Sequence, residues 1–468
     1  MEPIFLESRD QVAEFALGSK EERRSFYKSV FFLVLPMALQ NLINVAVTSA
    51  DVLMLGSVGE TVLSASSLAG QVQFVMTLIF FGLTSGAAVL TAQYWGKGDT
   101  KTIEKVIGIA MRFSILVAFL FTVVVELFPY QVMSIFTAEQ PVIEEGVKYL
   151  QIVAVSYLLT SVTMVYLNIM RSVEKVVIST IVYLCSLLCN IGVNAVLIFG
   201  LLGCPKLGIQ GAAIGTVIAR TLELAITLVY SRKKSNPVRL HFKNLFVRNK
   251  ILFRDFFRFS IPVTLNELMW GLGVSMNSVI IGHLGSPVVA ANSVAQVTRQ
   301  LATVVAFGIA NATAILIGKA IGGNLYDKAR LYAKRFLRLT LIFGGIGALI
   351  VLGVAPVVLA LMNLSAEAQG YLVIMMGVMS YFVFGQAINT TMIVGIFRAG
   401  GDTKFGLFLD VSTMWGGSIL LGALCAFVFH WSIPWVYVVL MSDEIIKLPF
   451  TIWRYKSQKW LRNVTRDF

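Results

Sequence analysis

Ionisable side chains inside apolar segments are the residues of this chain that could do chemistry. Asp51 lies in a stretch of apolar and small residues, with no cation one helical turn away. A carboxyl group held out of water can bind and release a proton, and it can bind sodium where neutral oxygens converge on it. Asn190 and Asn194 are four residues apart, so a helix places both amides on one face. The three residues form a candidate site for a proton or a sodium ion.

Each member of this candidate site also has a structural interpretation. Asp51 could be a hydrogen-bonding hub that holds neighbouring helices together. The Asn190 and Asn194 amides could join helices in the same way, since polar side chains do so in membranes.

A second group of residues could contact a cargo molecule. Glu267 and Asp410 lie in apolar segments, where they could line a cavity that attracts cations, couple protons, or pair with each other or with nearby Arg and Lys. The 17 Met and 32 Phe residues also matter, because Met adapts to varied shapes and aromatic faces attract organic cations. The candidate substrate-binding residues are Glu267, Asp410, Met54, Trp270, Met276 and Trp415.

The segments that must position these residues are membrane spans. The chain of 468 residues is 57% hydrophobic and 13% charged, whereas soluble domains carry about 25% charged residues. Apolar runs long enough to cross a bilayer recur along its length. We expect an all-α membrane protein with twelve spans between residues 30 and 453.

The basic residues indicate the orientation of these spans. The net charge is +13, but all except five of the 38 Lys and Arg residues fall in the two tails and alternate loops. This bias follows the positive-inside rule and predicts a multi-pass protein of the cell (inner) membrane with both termini cytoplasmic. The lipid bilayer is therefore the expected partner, and nucleic acid is not.

The chain contains a repeat of itself. Pro36–Gly96 matches Pro262–Gly322 at a constant offset of 226 positions, and Asp51 is replaced by Asn277 in the second copy. Six spans per half in parallel orientation are typical of secondary transporters. The predicted divisions are an N-terminal tail (1–29), an amino half (30–231), an amphipathic linker (232–256), a carboxyl half (257–453) and a C-terminal tail (454–468).

Sequence stretches in register in both halves suggest a family. They are PMALQNLINVAVTSADVLMLGSVG, GLTSGAAVLTAQYWGKGD and LCNIGVNAVLIFGLLGCPKLGIQGAA in the first half, and SIPVTLNELMWGLGVSMNSVIIGHLG and FRAGGDTK in the second. Together they resemble the multidrug and toxic compound extrusion (MATE) family over about residues 25–455. The resemblance implies a two-lobed transporter of twelve helices, with a V-shaped cavity, that exchanges organic cations for sodium or protons.

The resemblance also implies roles for particular residues. In MATE transporters an acid in the first span and polar residues in the fifth form a cation site, which corresponds to Asp51, Asn190 and Asn194. Asn44 and Thr216 are further members by alignment. Some relatives carry an acid at the position of Asn194, so this chain has one negative charge fewer there. Glu267 corresponds to an acid in the seventh span of relatives with a second site.

The preferred function is export of organic cations or amphiphilic drugs by alternating access, by a monomer without an organic cofactor. The chain contains no GxxxxGK[ST], HExxH or GxSxG motif, so we expect no enzymatic activity and treat a membrane-embedded enzyme as a remote alternative. The other alternative is a lipid-linked oligosaccharide flippase of the related two-lobed fold. Such flippases tend to carry several cations in the central cavity, and only Arg299 is a candidate here.

Overall fold

The amino half of the protein is a bundle of helices. The computed structural model describes residues 17–233, 236–361 and 365–467, and every regular element in these residues is helical. The amino-half helices are α1 (Lys20–Gly56), α2 (Glu60–Lys97), α3 (Thr100–Leu127), α4 (Pro129–Ser134), α5 (Gln140–Val153), α6 (Val155–Ser172), α7 (Val177–Phe199) and α8 (Ile209–Ser231), with a 3₁₀ turn at Leu201–Gly203. The prediction of an all-α fold is confirmed.

The carboxyl half repeats this arrangement with two irregular helices. Its helices are α9 (Lys250–Gly282), α10 (Ser286–Gly322), α11 (Tyr326–Leu361), α12 (Ala366–Thr390), α13 (Thr403–Val411), α14 (Leu420–Phe427), α15 (Ile433–Leu440) and α16 (Asp443–Lys456). A π-helical segment, Thr391–Phe397, extends α12, and another, Ser412–Ile419, joins α13 to α14. Such widened turns are rare in proteins, and those that occur are often found at functional sites.

Most of the predicted spans meet a simple test of length and hydropathy. In the described part of the chain, nine helices are long and apolar enough to cross a membrane, and the α5–α6 pair, bent by 52°, would make a tenth. The other two predicted spans correspond to α9 and to α15 with α16. These elements are helical, but polar residues such as Glu267 lower the mean hydropathy of α9, and α15 and α16 are short, with 8 and 14 residues.

The predicted amphipathic linker between the halves is largely not helical. Residues 236–249 contain only a 3₁₀ turn, Phe242–Phe246, and α9 begins at Lys250. The backbone carbonyls of Leu245 and Val247 accept hydrogen bonds from the Arg112 side chain on α3. These bonds use carbonyls that a helix would have paired internally, which favours an irregular path. Of the predicted tail and linker, residues 1–16 and 234–235 lie outside the described residues.

The repeat corresponds to a two-fold arrangement of crossing helices. A Cβ atom on Gly96 of α2 would collide with the carbonyl oxygen of Lys319 on α10, and one on Gly322 of α10 would collide with the carbonyl oxygen of Gln93 on α2. Gly96 and Gly322 are repeat counterparts, so the sequence keeps both positions small where two backbones meet. This crossing lies near the end of the molecule where α1 begins and the C-terminal tail packs, which we call the termini end.

An apolar core also joins the halves at the termini end. Phe26 and Met37 of α1 are buried in one cluster with Ile317 of α10 and Phe336 of α11. The two halves are therefore closed against each other on this side, and the far end of α1 carries Asp51.

Candidate functional site

The structure brings Asp51 and the two asparagines together near the end of α1 opposite the termini. The Asn194 Nδ2 atom donates to Asp51 Oδ1 at 2.8 Å and lies 3.3 Å from Asn190 Oδ1. Both asparagines belong to α7, and the four-residue spacing places them on the face that packs against α1. The predicted convergence of these three residues, which we call the Asp51 cluster, is therefore present.

The Asn194 amide has unused hydrogen-bonding capacity. Its Oδ1 atom is buried and has no hydrogen-bond partner among the described residues. This oxygen sits against Gly215 of α8, where a Cβ atom would overlap it. A buried acceptor without a partner is costly, so a cation or a proton donor that reached this oxygen would stabilise it.

Two residues complete the surroundings of Asp51. Tyr149 of α5 and Arg220 of α8 lie close enough to interact electrostatically with the Asp51 carboxyl group. Arg220 forms an ion pair with Glu223 at 2.5 Å, as its spacing predicts, so most of its charge is already compensated. Tyr149 was not predicted, because no sequence pattern connects an aromatic residue on α5 with an acid on α1.

The two additional members suggested by alignment are placed differently. Thr216 lies on α8 near Tyr149, and its hydroxyl donates to the Ala212 carbonyl at 3.0 Å. Asn44 lies about two turns before Asp51, and its side chain is exposed. Within the described residues there is no group of three or more His, Cys, Asp or Glu side chains that could hold a metal ion. A sodium ion would therefore depend on one carboxylate and neutral oxygens.

The acids of the carboxyl half are paired with cations. Glu267 Oε1 accepts from Arg398 Nη2 at 2.8 Å. Asp410 Oδ1 lies 3.1 Å from Lys447 Nζ, and its Oδ2 atom accepts from Asn266 Nδ2 at 2.9 Å. Pairing with nearby Arg and Lys, which the sequence left open, is the arrangement that the structure contains.

The four candidate cargo contacts without a charge, which are Met54, Trp270, Met276 and Trp415, do not form one surface. Met276 and Trp415 line the same apolar groove between α9 and the π segment that follows α13. Trp270 is exposed on α9, and Met54 packs with Leu55 and Ile198 in the amino half. The sequence could not separate these environments, because each residue lies on an apolar segment.

A central cavity lies between the halves, where the family resemblance implies one, but the residues that line it were not predicted. It has a volume of about 60 Å³ and is lined by α2, α6, α10 and the π segment of α12. Arg171 and Arg398, which are counterparts in the repeat, both line it. The signal was present in the sequence, since each arginine follows a span at the same place in its half.

Comparison with known proteins gives matches along most of the chain. The MatE family model matches residues 36–196 and again residues 262–424, once in each half. The probable multidrug resistance protein YoeA of Bacillus subtilis is 22% identical over 402 residues, covering 85% of this chain and 86% of YoeA. The probable multidrug resistance protein NorM of Rhizobium meliloti is 26% identical and covers 86% of each chain.

Solved structures have the same fold. A crystal structure of a MATE protein in a bent conformation is 17% identical, with a TM-score of 0.83, and covers 93% of this chain and 96% of that one. A mutant of the Vibrio cholerae MATE transporter VcmN is 18% identical, with a TM-score of 0.84, and covers 94% and 99%. At this identity the likeness shows the fold alone.

Proposed function

This chain belongs to the MatE family of membrane transporters, and on that premise we propose that it is a secondary active exporter of amphiphilic organic compounds, organic cations among them. Inward movement of protons or sodium drives the export, and the protein works as a monomer in the cell membrane with both termini in the cytoplasm. The names of the relatives as multidrug resistance proteins support efflux as the direction of transport.

The observation that carries the proposal is the Asp51 cluster. It combines one carboxyl group with a buried amide oxygen that has no partner among the described residues. Such a pair gains a ligand when a proton or sodium ion arrives, and it loses that ligand when the cation leaves. An ionisable group inside a membrane span is costly unless it has a function or a compensating partner.

Cation binding would act on the contact between α1 and α7. The Asn194–Asp51 hydrogen bond joins these helices near one end, and Gln40 donates to Thr180 at 2.9 Å nearer the termini end. Pro36 lies inside α1 and lacks a backbone donor, and its carbonyl accepts a hydrogen bond from Thr180 of α7 at 3.2 Å. A cation at Asp51 changes the first contact, and the proline offers a place where α1 can bend.

Alternating access then follows from the two-lobed fold. Rocking of one half against the other would open the interface at the termini end and close it at the opposite end. The exchange is thermodynamically coupled only if the cation and the cargo favour opposite conformations, since a ligand shifts an equilibrium by its differential affinity.

The lipid-linked flippase remains the second candidate because of one structural observation. The sequence offered Arg299 as the sole cavity cation, but Arg171 and Arg398 line the cavity between the halves. The charge argument that favoured a cationic cargo is therefore weaker than expected, since Glu267 and Asp410 are both paired with cations.

Transport by purified protein in proteoliposomes tests the proposal. Ethidium export should be driven by an imposed pH gradient or by an imposed sodium gradient, each applied alone, and the effective gradient identifies the coupling ion. The Asp51→Asn variant keeps the size of the side chain but cannot ionise, so its gradient-driven export should fall to the level of empty liposomes.

The control is Asp327→Asn, which removes an exposed carboxylate paired with Arg330 on α11. This variant should export as the wild type does. Full export by Asp51→Asn would refute the coupling role, and failure of both gradients with wild-type protein would refute the antiport.

A further inference from the structure

Arg171 carries a charge that the described residues do not compensate. It lies at the end of α6 and lines the central cavity. Its polar partner among these residues is Gln40 Oε1, at 3.4 Å from Nη1, and no carboxylate is paired with it. A guanidinium group has five N–H donors, so most of its hydrogen-bonding capacity is unused among the described residues.

The other cavity arginine is neutralised. Arg398 is paired with Glu267 at 2.8 Å and also donates to Ser85 Oγ at 3.0 Å. The two-fold repeat thus places two arginines at one cavity, but an acid accompanies only one of them. The position that corresponds to Glu267 in the amino half is Asn41. The cavity therefore carries an excess positive charge.

A second observation at this cavity concerns Asn168. Its side chain is 7% exposed and lines the same cavity as Arg171. Its Nδ2 atom donates to Thr84 at 2.9 Å, whereas its Oδ1 atom is buried without a partner among the described residues. The cavity therefore offers a cation and, beside it, an unused acceptor.

We propose that this cavity binds the anionic group of the cargo, through Arg171, and that Asn168 accepts a hydrogen bond from a neighbouring N–H or O–H of the same molecule. The chemical class is a carboxylate- or phosphate-bearing amphiphile, which includes zwitterionic drugs. A volume of about 60 Å³ holds such a group but no whole drug, so the rest of the cargo occupies the space that opens when the halves separate.

This inference deepens the proposed function and rests on it for transport, but binding can be measured without transport. Rhodamine 110 carries a free carboxylate, and rhodamine 123 is its methyl ester, so the pair differs only in the anionic group. Both are titrated against purified wild-type protein and the Arg171→Gln variant, with fluorescence polarisation as the readout.

The expected result is a selective loss. Arg171→Gln should weaken rhodamine 110 binding by about tenfold or more, the effect of losing a charge-assisted hydrogen bond, and should change rhodamine 123 binding by less than about twofold. The matched control is Arg299→Gln. Arg299 lies on α10, donates to Gln296 and Gln386, and does not line this cavity. It should leave the ratio of the two affinities unchanged.

Two outcomes of the binding experiment overturn the inference. One is an equal change for both rhodamines in Arg171→Gln, and the other is no change for either. Export of both dyes in proteoliposomes is measured alongside. If the dyes are exported without a carboxylate preference, the inference fails and the proposed function stands. If the preference appears in binding but no gradient drives export, the inference stands and the proposed function fails.

Discussion

Replacing Lys447 by Met should destabilise the carboxyl half strongly. The Lys447 Nζ atom lies 3.0 Å from Asp443, 3.1 Å from Asp410 and 3.3 Å from Glu444, and the side chain is buried. Methionine keeps the length of the stem and removes the charge, which leaves three carboxyl groups facing one another. Removing one partner of a buried ion pair costs about 3–5 kcal/mol in the free energy of unfolding.

The loss of stability in Lys447→Met should be larger at high pH than at low pH. At high pH the three carboxylates of the Lys447→Met variant repel one another, whereas at low pH they can take up protons and the repulsion disappears. The difference in unfolding temperature between the two proteins should therefore be largest at high pH and shrink as the pH falls.

Unfolding of the purified proteins in detergent, followed by tryptophan fluorescence between mildly acid and mildly alkaline pH, measures this difference. Adding Asp410→Asn to Lys447→Met should recover part of the loss, because it removes one of the repelling charges. Lys101→Met, on an exposed position of α3, should change the stability by less than about 0.5 kcal/mol. A loss below about 1 kcal/mol for Lys447→Met, or a gap that widens in acid, would refute the reasoning.

Two further predictions concern the termini end. Arg466 of the C-terminal tail makes two hydrogen bonds to Asp255, at 2.6 and 3.1 Å, and Asp255 is buried. Arg466→Ala leaves that carboxylate unpaired and should lower the free energy of unfolding by about 1–3 kcal/mol. The measured signs are a lower unfolding temperature and faster proteolysis of the tail. Gly322→Ala should sharply reduce the yield of monodisperse protein in size-exclusion chromatography, because its Cβ would collide with the Gln93 carbonyl, whereas Gly345→Ala on α11 meets no atom within 4 Å and should behave as wild type. Equal yields for the two alanine variants would contradict the role of the crossing.

The sequence by itself determined the class and the symmetry of this protein. Hydropathy marks the spans, since an apolar segment of that length has no other stable environment. The constant offset of 226 positions between the repeats predicts equivalent helices, and the structure places Gly96 and Gly322 at one crossing. The Asp51 cluster was also accessible, because the spacing of Asn190 and Asn194 fixes their common face within a single helix.

Tertiary structure alone decided which charged side chains have an oppositely charged partner. Glu267 and Arg398 are 131 residues apart, and Arg171 has an equivalent position in the repeat but no equivalent acid. Whether a buried charge is compensated depends on which helices cross near it, and composition and spacing do not encode that distance. The same limit applies to Tyr149, which reaches Asp51 from another helix. Local patterns therefore predicted the scaffold and one candidate site, whereas the packing of helices decided the charge of the cavity.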